Sequence, residues 1–124
     1  MIFLDLTDGQ VLAQRNQDIA GGVRPSDRMK DMANASLRKI VAIHNHPYSM
    51  LPSYSDFENA KRYKYGVIVC HNGSVIKYSV EDNADIAIAD NLHNYIQKKF
   101  VAREDLTPDL ALLAELGIQM EVYY

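Results

Sequence analysis

The stretch that most limits what this chain can become is Ile40-Val41-Ala42-Ile43 running without a break into His44-Asn45-His46-Pro47. Four apolar residues, three of them β-branched, are too few for a helix and read as a strand buried on both faces. Alternation along a strand points residues i and i+2 to the same side. His44 and His46 therefore face one point while Asn45 faces away, and Pro47 steers His46 out of helical geometry.

A loop over 48–52 follows, and Ser53-Tyr54-Ser55-Asp56 opens a helix to about residue 63. From the first turn of that helix Asp56 can swing back toward the imidazoles. Two histidines and a carboxylate are the three-ligand set of a catalytic zinc site, which keeps a fourth position for water. Zinc lowers the pKa of that water from about 15.7 toward roughly 7. Ser53 could donate to the oxyanion of a tetrahedral intermediate, and a general base, usually a carboxylate, would complete the machinery. A second reading makes Ser53-x-x-Asp56 a capping box, with each residue satisfying a backbone N–H of the other. One helix start can do both, so the readings coexist. His-x-His alone could also be surface residues beside a turn.

The rest of the chain supplies strands and helices around this unit. Residues 1–6 alternate, Thr7-Asp8-Gly9-Gln10 reads as a turn and 11–13 as a returning strand, giving a hairpin. A polar, Gly-containing loop occupies 16–24. Ser26 caps a helix whose stripe is Met29, Met32, Ala33 and Leu37, a spacing that points to core. Residues 66–70 and 75–80 read as strands joined through Asn72-Gly73, a strong hairpin signal. Asp82 or Asn83 caps a helix to about residue 100 with Ile88, Leu92, Tyr95 and Ile96 as its apolar face. Thr107 reads as the N-cap of another helix with Pro108 at its first position, Gly117 ends it, and Ile118, Met120 and Val122 alternate in a last strand. The order β-β-α-β-α-β-β-α-α-β predicts an α/β (α+β) fold, a mixed β-sheet flanked by helices.

Composition narrows the partners. The chain has 124 residues, enough for one domain with its own core. A net charge of −3 without any Lys/Arg run argues against a duplex-DNA binder. The single cysteine, Cys70, cannot form an internal disulfide, which fits a reducing, cytoplasmic setting, and its apolar surroundings make it a buried hydrophobe. No apolar stretch approaches the roughly 20 residues that span a bilayer. His71 reads as a surface turn residue and His93 as a helical residue without ligand partners.

His44-Asn45-His46-Pro47 with Pro52-Ser53-Tyr54-Ser55-Asp56 resembles the JAMM motif of the JAB/MPN metallopeptidase superfamily, closest to its bacterial and phage branch with RadC-type proteins. The resemblance covers roughly residues 1–80, a motif-bearing core, and leaves 81–124 as a helical extension with a final strand. It implies a JAB/MPN (cytidine-deaminase-like) sandwich holding Zn²⁺ on His44, His46 and Asp56, with Ser53 as the transition-state donor. It implies a protein or peptide substrate, including the tails of ubiquitin-like proteins, cut at a peptide or isopeptide bond.

Two departures from the family pattern bear on activity. Six residues separate His46 from Ser53 where seven are usual, a shorter loop. The family's general-base glutamate lies upstream of the histidines, and here no glutamate precedes His44. Alignment of the first strand puts that glutamate at or just before Met1, and Asp5 is the only carboxylate on the strand. Three explanations follow: the glutamate belongs to sequence upstream of Met1, it is replaced, or it is missing from an inactive domain. Three functions follow: a zinc peptidase or isopeptidase, a non-catalytic JAB/MPN-like interaction or scaffold domain, and, by fold analogy alone, a DNA-associated role.

Overall fold

The computed structural model describes residues 1–6, 9–15, 25–35 and 39–124 and, of 33–35, the backbone alone. The elements follow in the expected order: β1 (Ile2–Asp5), β2 (Val11–Gln14), α1 (Asp27–Ala35), β3 (Ile40–His46), α2 (Tyr54–Ala60), β4 (Tyr65–Cys70), β5 (Val75–Val80), α3 (Ile86–Val101), α4 (Thr107–Glu115) and β6 (Ile118–Tyr123). The turn at Thr7 and Asp8, the loop over 16–24, Leu37 and the side chain of Ala33 lie outside the described residues.

Among the described residues the fold is α+β, with one six-stranded mixed sheet ordered β2-β1-β3-β4-β5-β6 and four helices. Among these described strands only β3 and β4 pair in parallel, and α2 forms the crossover between them. The remaining pairs are antiparallel. Residues 81–124 are integral to this sheet, because β6 pairs with β5 along its whole length, from Val80↔Ile118 to Val75↔Tyr123.

Alternation sorts the side chains cleanly. Phe3, Ile40, Ala42, His44, His46, Ile68, Cys70, Ile76, Tyr78, Val80, Ile118 and Met120 are all buried. They share one face of the sheet, since paired residues point the same way and successive ones alternate. Helix α2 packs on this face, where Phe57 meets Tyr78 edge-on at 6.1 Å. Each such aromatic or aliphatic side chain stabilises the fold by about 1.5–3 kcal/mol through burial. Gly66 is what lets Tyr78 lie against β4, for a Cβ there would stand 2.7 Å from the Tyr78 ring.

The helix starts differ in detail from expectation. Ser26 caps α1, accepting from the Met29 N–H at 3.2 Å, as its sequence predicts. The cap of α3 is Asp85, not Asp82 or Asn83, and its carboxylate accepts from the Ile88 N–H at 3.1 Å. Helix α4 begins at Thr107 itself without a side-chain cap, while Asp105 accepts from both the N–H and the hydroxyl of Thr107. The α3 face also turns. Ile96 is buried and Leu92 packs against the core as expected, but Ile88 and Tyr95 are exposed, and Ile86, Ala89 and Phe100 are buried in their place. Gly117 adopts φ +91 after α4, the left-handed stop that only glycine takes without strain.

Among the described residues no helix is long and apolar enough to cross a membrane.

Candidate metal centre

The site is built where β3 ends and α2 begins. Strand pairing places His44 and His46 level with Ile68 and Cys70 in the middle of the sheet. Both imidazoles are buried, at 4% and 6% exposure. Their Nε2 atoms lie 3.2 Å apart. Two nitrogen lone pairs at that distance repel each other unless a proton or a cation lies between them.

Asp56 closes the triangle. Its Oδ1 lies 3.4 Å from His44 Nε2 and its Oδ2 3.3 Å from His46 Nε2. The capping box forms as expected, and the same Asp56 carboxylate faces the two imidazoles. The Ser53 N–H donates to Asp56 Oδ2 at 2.9 Å, and Ser53 Oγ accepts from the Asp56 N–H at 3.2 Å. The cap thus fixes the carboxylate that faces the imidazoles.

The three side chains fit a small cation. For ligand atoms about 2.0–2.1 Å from a tetrahedral ion, the edge between ligands is about 3.3–3.4 Å. The two Nε2 atoms stand 3.2 Å apart, close to that edge, each carboxylate oxygen comes within 3.3–3.4 Å of one imidazole, and one atom from each residue lies within 4.8 Å of the other two. Among the described residues this is the cluster of His, Cys, Asp or Glu whose atoms could hold a metal ion. His71 is exposed in its turn, and His93 Nε2 is buried on α3 with no hydrogen-bond partner among the described residues, so neither joins it.

Without a cation the charges settle as an ion pair. Burial pushes the Asp56 carboxyl upward, but hydrogen bonds from His44, His46 and the Ser53 N–H outweigh it and hold the group well below the usual carboxylate range. Burial opposes the His46 imidazolium, yet the Asp56 carboxylate and the Met50 carbonyl together raise its pKa.

His46 is also oriented from behind. Its Nδ1 lies 2.9 Å from the Met50 carbonyl oxygen. A carbonyl only accepts, so Nδ1 carries the proton and a neutral His46 offers its Nε2 lone pair to the cluster. His44 Nδ1 is buried with no hydrogen-bond partner among the described residues. The Met50 carbonyl also receives the Cys70 Sγ–H at 3.7 Å. Cys70 is 3% exposed, and burial pushes its thiol upward, in keeping with a packed side chain rather than a nucleophile.

Asp5 stays out of the site. Strand β1 pairs antiparallel with β3, setting Ile2 against Ile43 and Asp5 against Ile40. One more step of that register sets Met1 opposite His44, so Asp5 sits four residues down the strand, about 13 Å away.

The Met50 carbonyl and the side chain that holds its loop, Gln97, gave no sign in the sequence. Gln97 donates to the Ser49 carbonyl at 2.6 Å and accepts from the Leu51 N–H at 2.9 Å.

No family model matches the chain, and neither a curated protein nor a solved structure does.

Proposed function

We propose that the chain is a zinc-dependent hydrolase of the JAB/MPN type that cleaves a peptide or isopeptide bond, with His44, His46 and Asp56 as ligands. The observation that carries this reading is the buried cluster of two Nε2 atoms 3.2 Å apart and a carboxylate with one oxygen 3.3–3.4 Å from each, at the carboxyl end of an interior strand. The donor set of two imidazoles and one carboxylate suits zinc. Zinc, when bound, supplies Lewis acidity to the reaction.

The chain's own residues have separable roles. The Ser53–Asp56 cap holds the carboxylate in place before anything binds. Ser53 Oγ spends an acceptor site on the Asp56 N–H, which leaves its own hydroxyl hydrogen to donate to a developing oxyanion. The substrate is a protein or peptide, including the tail of a ubiquitin-like partner, in a cytoplasmic setting.

One observation favours a second reading, a non-catalytic JAB/MPN-like interaction module. Asp5 lies about 13 Å down the strand from the level of His44, too far for hydrogen-bond reach to the cluster.

Elemental analysis of metal-replete protein and assay against peptide and isopeptide libraries separate the outcomes. Stoichiometric zinc with hydrolysis supports the enzyme, and stoichiometric zinc without hydrolysis supports the interaction module. Absence of zinc would reduce the triangle to a helix cap with an ion pair and sink both.

A further inference from the structure

The loop from β3 to α2 touches the site through the Met50 carbonyl, and it is held by a helix from far along the chain. Among the described residues, no turn or loop hydrogen bond between main-chain groups involves residues 47–52. Instead Gln97, on α3, reaches across. Its Nε2 donates to the Ser49 carbonyl at 2.6 Å and its Oε1 accepts from the Leu51 N–H at 2.9 Å. A primary amide has the donor and acceptor of a peptide group, so Gln97 pairs with this segment as a neighbouring strand would.

The residue between those two contacts is Met50, and its carbonyl oxygen accepts from His46 Nδ1 at 2.9 Å. The connection is short: Gln97 fixes Ser49 and Leu51, these fix the direction of the Met50 carbonyl, and that carbonyl decides which nitrogen of His46 carries the proton. Gln97 itself is anchored by its helix, since Ile96 and Phe100 beside it are 2% and 0% exposed. At the other end of the segment Leu51 and Pro52 are buried.

We propose that Gln97 is a positioning residue for the metal centre. Through the Met50 carbonyl it holds His46 with Nδ1 protonated and Nε2 presented to His44 and Asp56. This rests on the metal reading above for its purpose, but the tautomer it sets exists without any metal. It also gives α3, outside the part of the chain that resembles the JAMM core, a direct bearing on the site.

The chemistry picks the variants. Gln97→Met keeps the side-chain length and loses both hydrogen bonds. Gln97→Glu keeps the acceptor for the Leu51 N–H and sets a second acceptor against the Ser49 carbonyl. Two readouts are needed. In metal-free protein at pH 8, the nitrogen chemical shifts of His46 report its tautomer. In wild type we expect Nδ1–H to dominate, and in Gln97→Met a shift toward Nε2–H. In zinc competition titrations we expect Gln97→Met to bind about 10–100-fold more weakly, the usual cost of losing outer support of a ligand. The Co²⁺-loaded protein should show an altered visible spectrum as the His46 geometry relaxes.

A wild-type His46 that is mainly Nε2–H would overturn the proposal. So would a Gln97→Met protein with unchanged tautomer, zinc affinity and cobalt spectrum, whatever its thermal stability. If Gln97→Met does not fold, the same comparison is made on Gln97→Glu. Failure of wild type to bind zinc, with the tautomer shift still present, would refute the metal reading and leave the positioning role standing.

Discussion

Strands β3 and β4 lie side by side, run parallel and end level, with His46 paired to Cys70. Each brings a histidine to that end, His46 on one and His71 just past the other. One becomes part of a buried cluster and the other is exposed in a turn. The residue type and the strand end are the same, so neither makes a site. What differs is what comes back. After β4 the chain reverses at once, with the Gly73 N–H on the Cys70 carbonyl and the Cys70 N–H on the Ser74 carbonyl. After β3 it takes a longer path, pinned by Gln97, and returns Asp56 on a capped helix.

Four changes test that contrast. The largest effect is expected from Asp56→Ala, which removes the returning carboxylate. Zinc affinity should fall by more than the roughly 10–100-fold that loss of an outer-shell partner costs, and calorimetric titration reads this directly.

Acidification comes next. His46 has a raised pKa, so its proton competes with a metal at pH values above the unperturbed 6.5 or so. Zinc affinity should drop by about tenfold per pH unit once that proton must be displaced. Stability of the metal-free protein should follow the ion pair with the opposite dependence. The His46 contribution is present below its ordinary pKa and lost as pH rises through the raised folded value. The Asp56 contribution is present above about pH 4 and lost as pH falls toward its depressed folded value. Thermal midpoints with and without zinc should therefore diverge as pH rises from about 5.5 to 8. Parallel midpoints across that range would contradict the assignment of His46 as a ligand.

Gly73→Ala attacks the other strand end. Gly73 has φ +89 with open space around it, so the cost is conformational alone, about 1–2 kcal/mol in denaturant unfolding. Zinc affinity should not change, because the β3 loop does not depend on that turn. The smallest effect is expected from His71→Ala: stability within about 0.5 kcal/mol and the same zinc stoichiometry. Loss of zinc in His71→Ala would make the two strand ends one site and end the comparison.

Much of this was legible in the sequence because it depends on near neighbours. The strand over 40–43, the facing of His44 and His46, the Ser53–Asp56 cap and the Gly117 stop all follow from periodicity or from contacts within a few residues. The Asn72-Gly73 hairpin was legible too, although Gly73 alone has positive φ there, so the turn is a three-residue one with a glycine bulge rather than the tight two-residue form. Where the sequence offered equivalent choices it misled. Ile86 and Ile88 both suit an apolar face of α3, and only tertiary packing decides that Ile86 joins the core and Ile88 is exposed. Asp82, Asn83 and Asp85 can all cap, and the choice falls where the Asp85 N–H bonds the Leu116 carbonyl at the end of α4.

By itself, then, the sequence determined a pair of imidazoles aimed to one side of an interior strand and a capped carboxylate ten residues later, because strand alternation and helix capping are local rules. Tertiary structure decided that these three groups meet at 3.2–3.4 Å and that Asp5 stays at the far end of its strand. It also decided that Gln97, 46 residues from Leu51, holds the loop behind His46. Those outcomes depend on strand register and on which helix covers the site, and no local rule in the chain encodes either.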